Sequence, residues 1–191
     1  MSGRTAGRLL DATLQVVWDG WPRALSLREG DVEIGSLVRG SERTTLEVDG
    51  TEWWVEIEGF RMVRGMVTDP ERTPLLLFAG QVDWGAALTR GGRTLTIDIK
   101  QRWRAFHMLP GSVTDQAGRT LLETLPFREA GSTGWSVRTG QDDPDDVAAT
   151  LALWGTLVLA RNRTPWLRFT TAGLRPSRIE DELEALRSRL G

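Results

Sequence analysis

Residues 141–163 read QDDPDDVAATLALWGTLVLARNR, and this stretch decides the fold because it describes a helix without a polar face. Asp143 suits the N-cap position, and Pro144 then falls at the first helical position. Two further aspartates follow at the positive end of the helix dipole, and arginines flank the negative end. The sequence therefore predicts a helix over about residues 144–162.

Between these ends, residues 147–160 are apolar on every side apart from Thr150, Gly155 and Thr156. Such a helix must be surrounded by protein, because it has no face to turn towards water. Its length of roughly 21 Å is too short for a membrane span, which takes about 20 apolar residues. We expect the preceding part of the chain to enclose it.

That preceding part, residues 21–140, consists of short alternating segments separated by turn residues, a pattern typical of antiparallel sheets. The clearest hairpin is TTLEVDGTEWWVEIEG, where Asp49 and Gly50 can supply the positive φ angles of a two-residue turn. Gly91 and Gly92 predict a second hairpin. Further turns are expected at Asp115 to Gly118 and in DPERTP at residues 69–74.

The predicted fold class is mainly β: an antiparallel β-barrel or strongly curved sheet enclosing the hydrophobic helix. A chain of 191 residues is most simply one domain. We place an N-terminal segment at residues 1–20, the barrel domain at 21–173 and a C-terminal amphipathic helix at 174–191. Asp11 and Gln15 interrupt the first apolar patch, so a mature, cytoplasmic N-terminus is expected.

The C-terminal helix has a narrow apolar stripe. In SRIEDELEALRSRL, Ser177 and Glu180 form a candidate capping box. So short a helix needs an apolar surface to pack against, which could be its own barrel, a second copy of itself or a different protein. The stripe consists of Ile179, Leu183, Leu186 and Leu190.

Composition excludes some classes of function. The 24 basic and 26 acidic residues give a net charge of −2, which argues against a sequence-independent grip on nucleic acid. Cysteine is absent, so neither a disulfide framework nor a thiolate metal site can form. No motif in the sequence indicates a cofactor.

The order of elements, many antiparallel strands, a hydrophobic helix and a short final strand, resembles the tubby-like family. This family includes tubby proteins, phospholipid scramblases and LURP-one-related proteins. The resemblance covers roughly residues 21–171, and DDVAATLALWGTLVLARNR, TPWLRFTT and SVTDQAGRTLLETLP carry it. It implies a twelve-stranded barrel around the helix. Scramblase activity is not implied, because no calcium segment or palmitoylated cysteine matches.

Proteins of the tubby branch bind phosphoinositides through basic residues two apart on a strand, and TIDIKQRWRAF resembles that arrangement. In an extended strand, Lys100, Arg102 and Arg104 would point outward while Ile99 and Trp103 point inward. These three cations form a candidate anion site. The alternative is an ordinary solvated strand face.

Trp54 is the second candidate. The chain has nine tryptophans, most of which we expect in the core. Trp54 differs because Glu52 and Glu56 place it on the polar face of its strand, where an exposed indole suggests a contact surface.

Two other groups of residues have simpler explanations. The aspartates at 142, 143, 145 and 146 lack the spacing of a calcium loop, and helix capping accounts for them. His107 is the only histidine and has no evident nucleophile beside it, which favours a structural role over general-base catalysis.

The sequence therefore favours a non-enzymatic binding module, for anionic lipid head groups or for an acidic protein surface. The ligand-binding candidates are Trp54, Lys100, Arg102 and Arg104. Two alternatives stay open: a structural or assembly subunit of a complex, and a hydrolase that uses aspartates and His107.

Overall fold

The structure, a computed structural model, describes residues 7–19, 24–59, 62–81, 84–99, 110–129, 132–163 and 176–188. A 3-10 turn, Gly7–Leu9, comes first. Twelve strands follow: Thr13–Asp19 (β1), Ala24–Glu29 (β2), Val32–Arg39 (β3), Thr44–Val48 (β4), Thr51–Glu58 (β5), Val63–Thr68 (β6), Pro74–Gly80 (β7), Trp84–Thr89 (β8), Thr94–Ile99 (β9), Gly111–Asp115 (β10), Thr120–Glu129 (β11) and Ser132–Thr139 (β12). Two α-helices complete the described part, Pro144–Arg163 (α1) and Pro176–Arg187 (α2).

The strands form one closed antiparallel barrel. Each strand pairs with its neighbours in sequence, and β1 pairs with β12 to close the ring. A closed barrel leaves no edge strand to template pairing with another chain. The predicted fold class is confirmed. The predicted N-terminal boundary is wrong, because residues 13–19 form β1 and the barrel therefore begins before residue 21.

Helix α1 lies inside the barrel. Residues 147–160 are all buried, and α1 contacts β3 to β7 and β11. The Trp154 ring meets Trp135 edge-on at 5.4 Å between centroids, and the Thr156 hydroxyl donates to the Ala152 carbonyl at 2.8 Å. The helix needs no polar face because strands surround it, as predicted.

The start of α1 matches the sequence prediction as well. The Asp143 carboxylate accepts hydrogen bonds from the backbone N–H groups of Asp145 at 3.0 Å and Asp146 at 3.4 Å, so Asp143 is the N-cap. The Asp49–Gly50 turn joins β4 to β5 with φ angles of 46° and 78°, which confirms that hairpin.

Helix α2 packs on the outside of the barrel, across β7 and β8. Of the three surfaces that the sequence left open for this helix, it covers the surface of its own barrel. Its apolar stripe joins the outward side chains of these strands in a second core, and Glu182 pairs with Arg64 of β6 at 2.6 Å. This α2 cluster contains Leu77, Ala79, Leu88, Ile179, Leu183 and Leu186. Strand β7 is thus buried on both faces, which explains its unbroken apolar run, PLLLFAG.

Several predictions fall on residues that the structure does not describe. These are the extension of β9 to residue 103, the last strand at residues 166–171, and Leu190.

Candidate functional site

Trp54 lies on the outer face of the barrel, as the alternation of β5 predicted. Its neighbours Trp53 and Val55 point inward and are completely buried, whereas Trp54 is partly exposed. Thr45 of β4 and Thr68 of β6 lie directly opposite Trp54 on the two adjacent strands. The indole is therefore presented at the centre of a three-stranded outer surface.

Three charged groups fix the Trp54 ring. The guanidinium carbon of Arg43 lies 4.4 Å from the ring centroid, and that of Arg72 lies 5.3 Å from it. Both distances are within the range of cation–π attraction. The indole N–H donates to the Glu52 carboxylate at 3.0 Å. We call Arg43, Glu52, Trp54 and Arg72 the Trp54 surface.

The two guanidinium groups of this surface are accessible to a ligand. Both side chains are exposed, and neither takes part in an ion pair within the described part of the chain. Five other arginines there do form ion pairs: Arg8, Arg64, Arg93, Arg119 and Arg187. Exposed arginines held over an indole can donate two parallel hydrogen bonds to a carboxylate or phosphate.

The turn that carries Arg72 repeats a geometry found twice more at the same end of the barrel. In the turn between β6 and β7, the Arg72 N–H donates to the Asp69 carbonyl at 2.9 Å, and the Thr73 N–H donates to the Asp69 carboxylate at 2.7 Å. The turns starting at Thr89 and Asp115 have the same pattern of bonds. All three place their fourth residue in the left-handed region.

That fourth residue is glycine in the other two turns, with φ of 79° at Gly92 and 78° at Gly118, but it is Arg72 here, with φ of 64°. A left-handed conformation costs a residue with a side chain roughly 1–2 kcal/mol. Of the described non-glycine residues with such φ angles, the others are aspartates, which tolerate it better. Arg72 thus has a backbone conformation that glycine adopts more easily, and backbone strain of this kind is often found at functional sites.

At the same end, Arg93 fastens the start of α1. Its guanidinium donates to Asp142 at 2.8 Å and to Asp146 at 2.6 Å. The bond from Arg93 lowers the pKa of Asp142, and these two partners raise the pKa of Arg93. Burial raises the pKa of Asp146 despite Arg93, and burial together with Asp143 raises that of Asp145. Capping thus accounts for Asp143, and pairing with Arg93 accounts for Asp142 and Asp146. One carboxylate oxygen of Asp145 is buried without a hydrogen-bond partner among the described residues.

Within the described ranges, no group of three or more acidic, histidine or cysteine side chains is arranged to hold a metal ion. The remaining tryptophans that the structure describes pack inside the barrel or beneath α2: Trp18, Trp53, Trp84, Trp135 and Trp154.

Of the sequence-predicted site residues, the structure places Trp54, whereas Lys100, Arg102, Arg104 and His107 lie outside the described residues. Their roles stay predictions. Sequence reasoning missed Arg43 and Arg72. The Asp49–Gly50 turn fixes the register that brings Thr45 opposite Trp54, so the position of Arg43 had a readable signal. Arg72 had none, because its position depends on the β5–β6 register.

Comparison with family models, with curated proteins and with solved structures gave no match for this chain. Among the helices in the described ranges, none is both long enough and apolar enough to cross a membrane.

Proposed function

We propose that this chain is a non-enzymatic binding module that holds an acidic segment of a partner protein at the Trp54 surface. The observation that carries the proposal is the pair of exposed arginines, Arg43 and Arg72, held over one indole without an acidic partner among the described residues. The strained backbone of Arg72 supports it, since a turn of this geometry accommodates glycine without cost.

The residue types favour a protein partner. Tryptophan and arginine are the side chains that most often dominate binding energy at protein interfaces. Val38, Thr45 and Trp54 lie side by side in one row across β3, β4 and β5, and Val38 is 46% exposed. A partner that places a carboxylate between the guanidinium groups can therefore cover apolar atoms beside them.

The surrounding charges disfavour a membrane. An anionic leaflet presents a broad negative surface, which attracts clusters of basic residues. Here exposed glutamates lie next to the two arginines in sequence or on the outer faces of β4 and β5, and such a surface would repel them: Glu42, Glu47, Glu52, Glu56 and Glu71. A partner that offers a localised carboxylate fits this pattern better.

We also propose that the chain is a distant relative of the tubby-like family. Support comes from the sequence resemblance, together with a closed barrel of twelve strands that contains a hydrophobic helix. The binding proposal does not depend on this relationship, because it is argued from Trp54 and its neighbours.

Nuclear magnetic resonance of the indole groups tests the binding proposal. The Trp54 N–H signal, identified by its loss in Trp54→Phe, reports on the ring that Arg43 and Arg72 cover. Hexaglutamate should shift this signal. Arg43→Gln/Arg72→Gln should weaken that response by roughly tenfold, since each exposed charge contributes modestly. Arg128→Gln/Arg138→Gln removes the same charge from exposed positions on β11 and β12 and should leave it unchanged.

A response that is equal in the two double variants would contradict the proposal. Vesicles of phosphatidylcholine with phosphatidylserine form the second arm. If they bind wild type and not Arg43→Gln/Arg72→Gln, while hexaglutamate has no effect, the ligand is a lipid and the proposal is wrong. If neither probe responds, the alternative of a structural subunit is favoured.

A further inference from the structure

The outer surface around Trp54 carries two carboxylates close to its two guanidinium groups. Glu47 of β4 lies directly opposite Glu52 of β5, and both side chains are exposed on the outer face. Residues directly opposite each other in a sheet have Cβ atoms about 5 Å apart, and like charges in such pairs are destabilising. The barrel therefore keeps an unfavourable pair of carboxylates beside its binding surface.

Neither carboxylate is neutralised within the described part of the chain. Glu52 accepts the indole N–H of Trp54 at 3.0 Å, and Glu47 makes no ion pair there. Glu52 precedes Trp54 by two residues on one strand, which places their Cα atoms roughly 7 Å apart. A single short segment of a partner can thus reach the carboxylates and the guanidinium groups together.

We infer that the partner segment is zwitterionic: it carries a carboxylate for Arg43 and Arg72 and, a few residues away, lysine or arginine for Glu47 and Glu52. This inference rests on the proposed function. The inference adds to the proposed function, because a purely acidic segment would pair with the guanidinium groups but would be repelled by the glutamates. Charge complementarity at an interface selects partners in this way.

Two peptides, tested for binding to the full chain, distinguish a purely acidic partner segment from a zwitterionic one. One is hexaglutamate, and the other is a hexapeptide with a glutamate block followed by a lysine block. Both are titrated in salt of about 0.15 M, which screens the distant charges of the protein. We expect the mixed peptide to bind wild type roughly two- to fivefold more tightly by the Trp54 N–H signal, although it has no net charge.

Glu47→Gln/Glu52→Gln should reverse this order. Glutamine at 52 retains an oxygen that can accept the indole N–H, so the ring is expected to keep its position. Glu123→Gln/Asp181→Asn removes the same charge from exposed positions elsewhere and should preserve the wild-type order.

If hexaglutamate binds wild type more tightly, or if Glu47→Gln/Glu52→Gln keeps the preference for the mixed peptide, this inference is overturned while the proposed function stands. If neither peptide moves the Trp54 signal, both are rejected.

Discussion

Two outer faces of the same barrel have opposite arrangements. On β7 and β8 the outward side chains are apolar, and the chain covers them with its own helix α2. On β4 to β6 the outward face presents Trp54, and only two arginine side chains lie over the ring. Arg64, beside α2, is paired with Glu182, whereas Arg43 and Arg72 are unpaired among the described residues.

The difference indicates which surface the chain completes by itself. The α2 cluster resembles a core, because its apolar side chains are buried within the molecule and the neighbouring Arg64 is paired with Glu182. The Trp54 surface has an aromatic ring and charges whose partners are not supplied by the described part of the chain. A single strand, β6, borders both, since Met66 packs against the α2 cluster while Thr68 lies opposite Trp54.

The largest expected effect is on the free energy of unfolding, when a glutamine replaces one side chain on each of the two outer faces. Leu77→Gln puts a polar group under α2, and we expect it to lower the free energy of unfolding by about 3 kcal/mol through lost burial and an unsatisfied amide. Trp54→Gln should lower it by no more than about 1 kcal/mol, because Trp54 is only partly buried and belongs to neither core cluster. Urea unfolding measures both. Equal losses would mean that the two faces do not differ.

A smaller effect on stability is expected at the ion pair between Arg93 and Asp142. Because Arg93 lowers the folded-state pKa of Asp142, this pair contributes stability above the unfolded-state pKa, and the contribution is lost as pH falls through the folded-state value. Asp142→Asn should therefore lower the melting temperature at pH 7 and have less effect as the solution becomes acidic. In an Arg93→Gln background the pH-dependent difference should become smaller, and the part that remains should come from the Asp143 N–H, which also donates to Asp142. An undiminished difference there would show that Arg93 is not its main cause.

Sequence reasoning located the parts of the fold that have local signals. The caps of α1, its uniform hydrophobicity and the Asp49–Gly50 turn are all readable within a few residues. Strand β1 was missed although it pairs with the adjacent β2. Its other partner, β12, lies more than 100 residues away, so no local pattern shows that residues 13–19 close the ring. Helix α2 was identified by its stripe, but three surfaces could have matched it.

For a similar reason, the sequence predicted only part of the candidate site. Trp54 follows from the alternation of one strand. The arginines that cover it come from the residue before β4 and from the turn after β6, and their convergence depends on the register of three strands. No property of Arg72 in the sequence marks it as a left-handed residue, since the equivalent turns use glycine.

Arg72→Gly tests the central claim most directly, because it separates the role of the Arg72 side chain from that of its backbone. Glycine relieves the left-handed strain at the expense of one cation–π contact. We therefore predict a melting temperature that is unchanged or higher, while hexaglutamate binding at Trp54 becomes weaker. A lower melting temperature together with unchanged peptide binding would contradict the account, because it would show that Arg72 stabilises the barrel and does not serve a ligand.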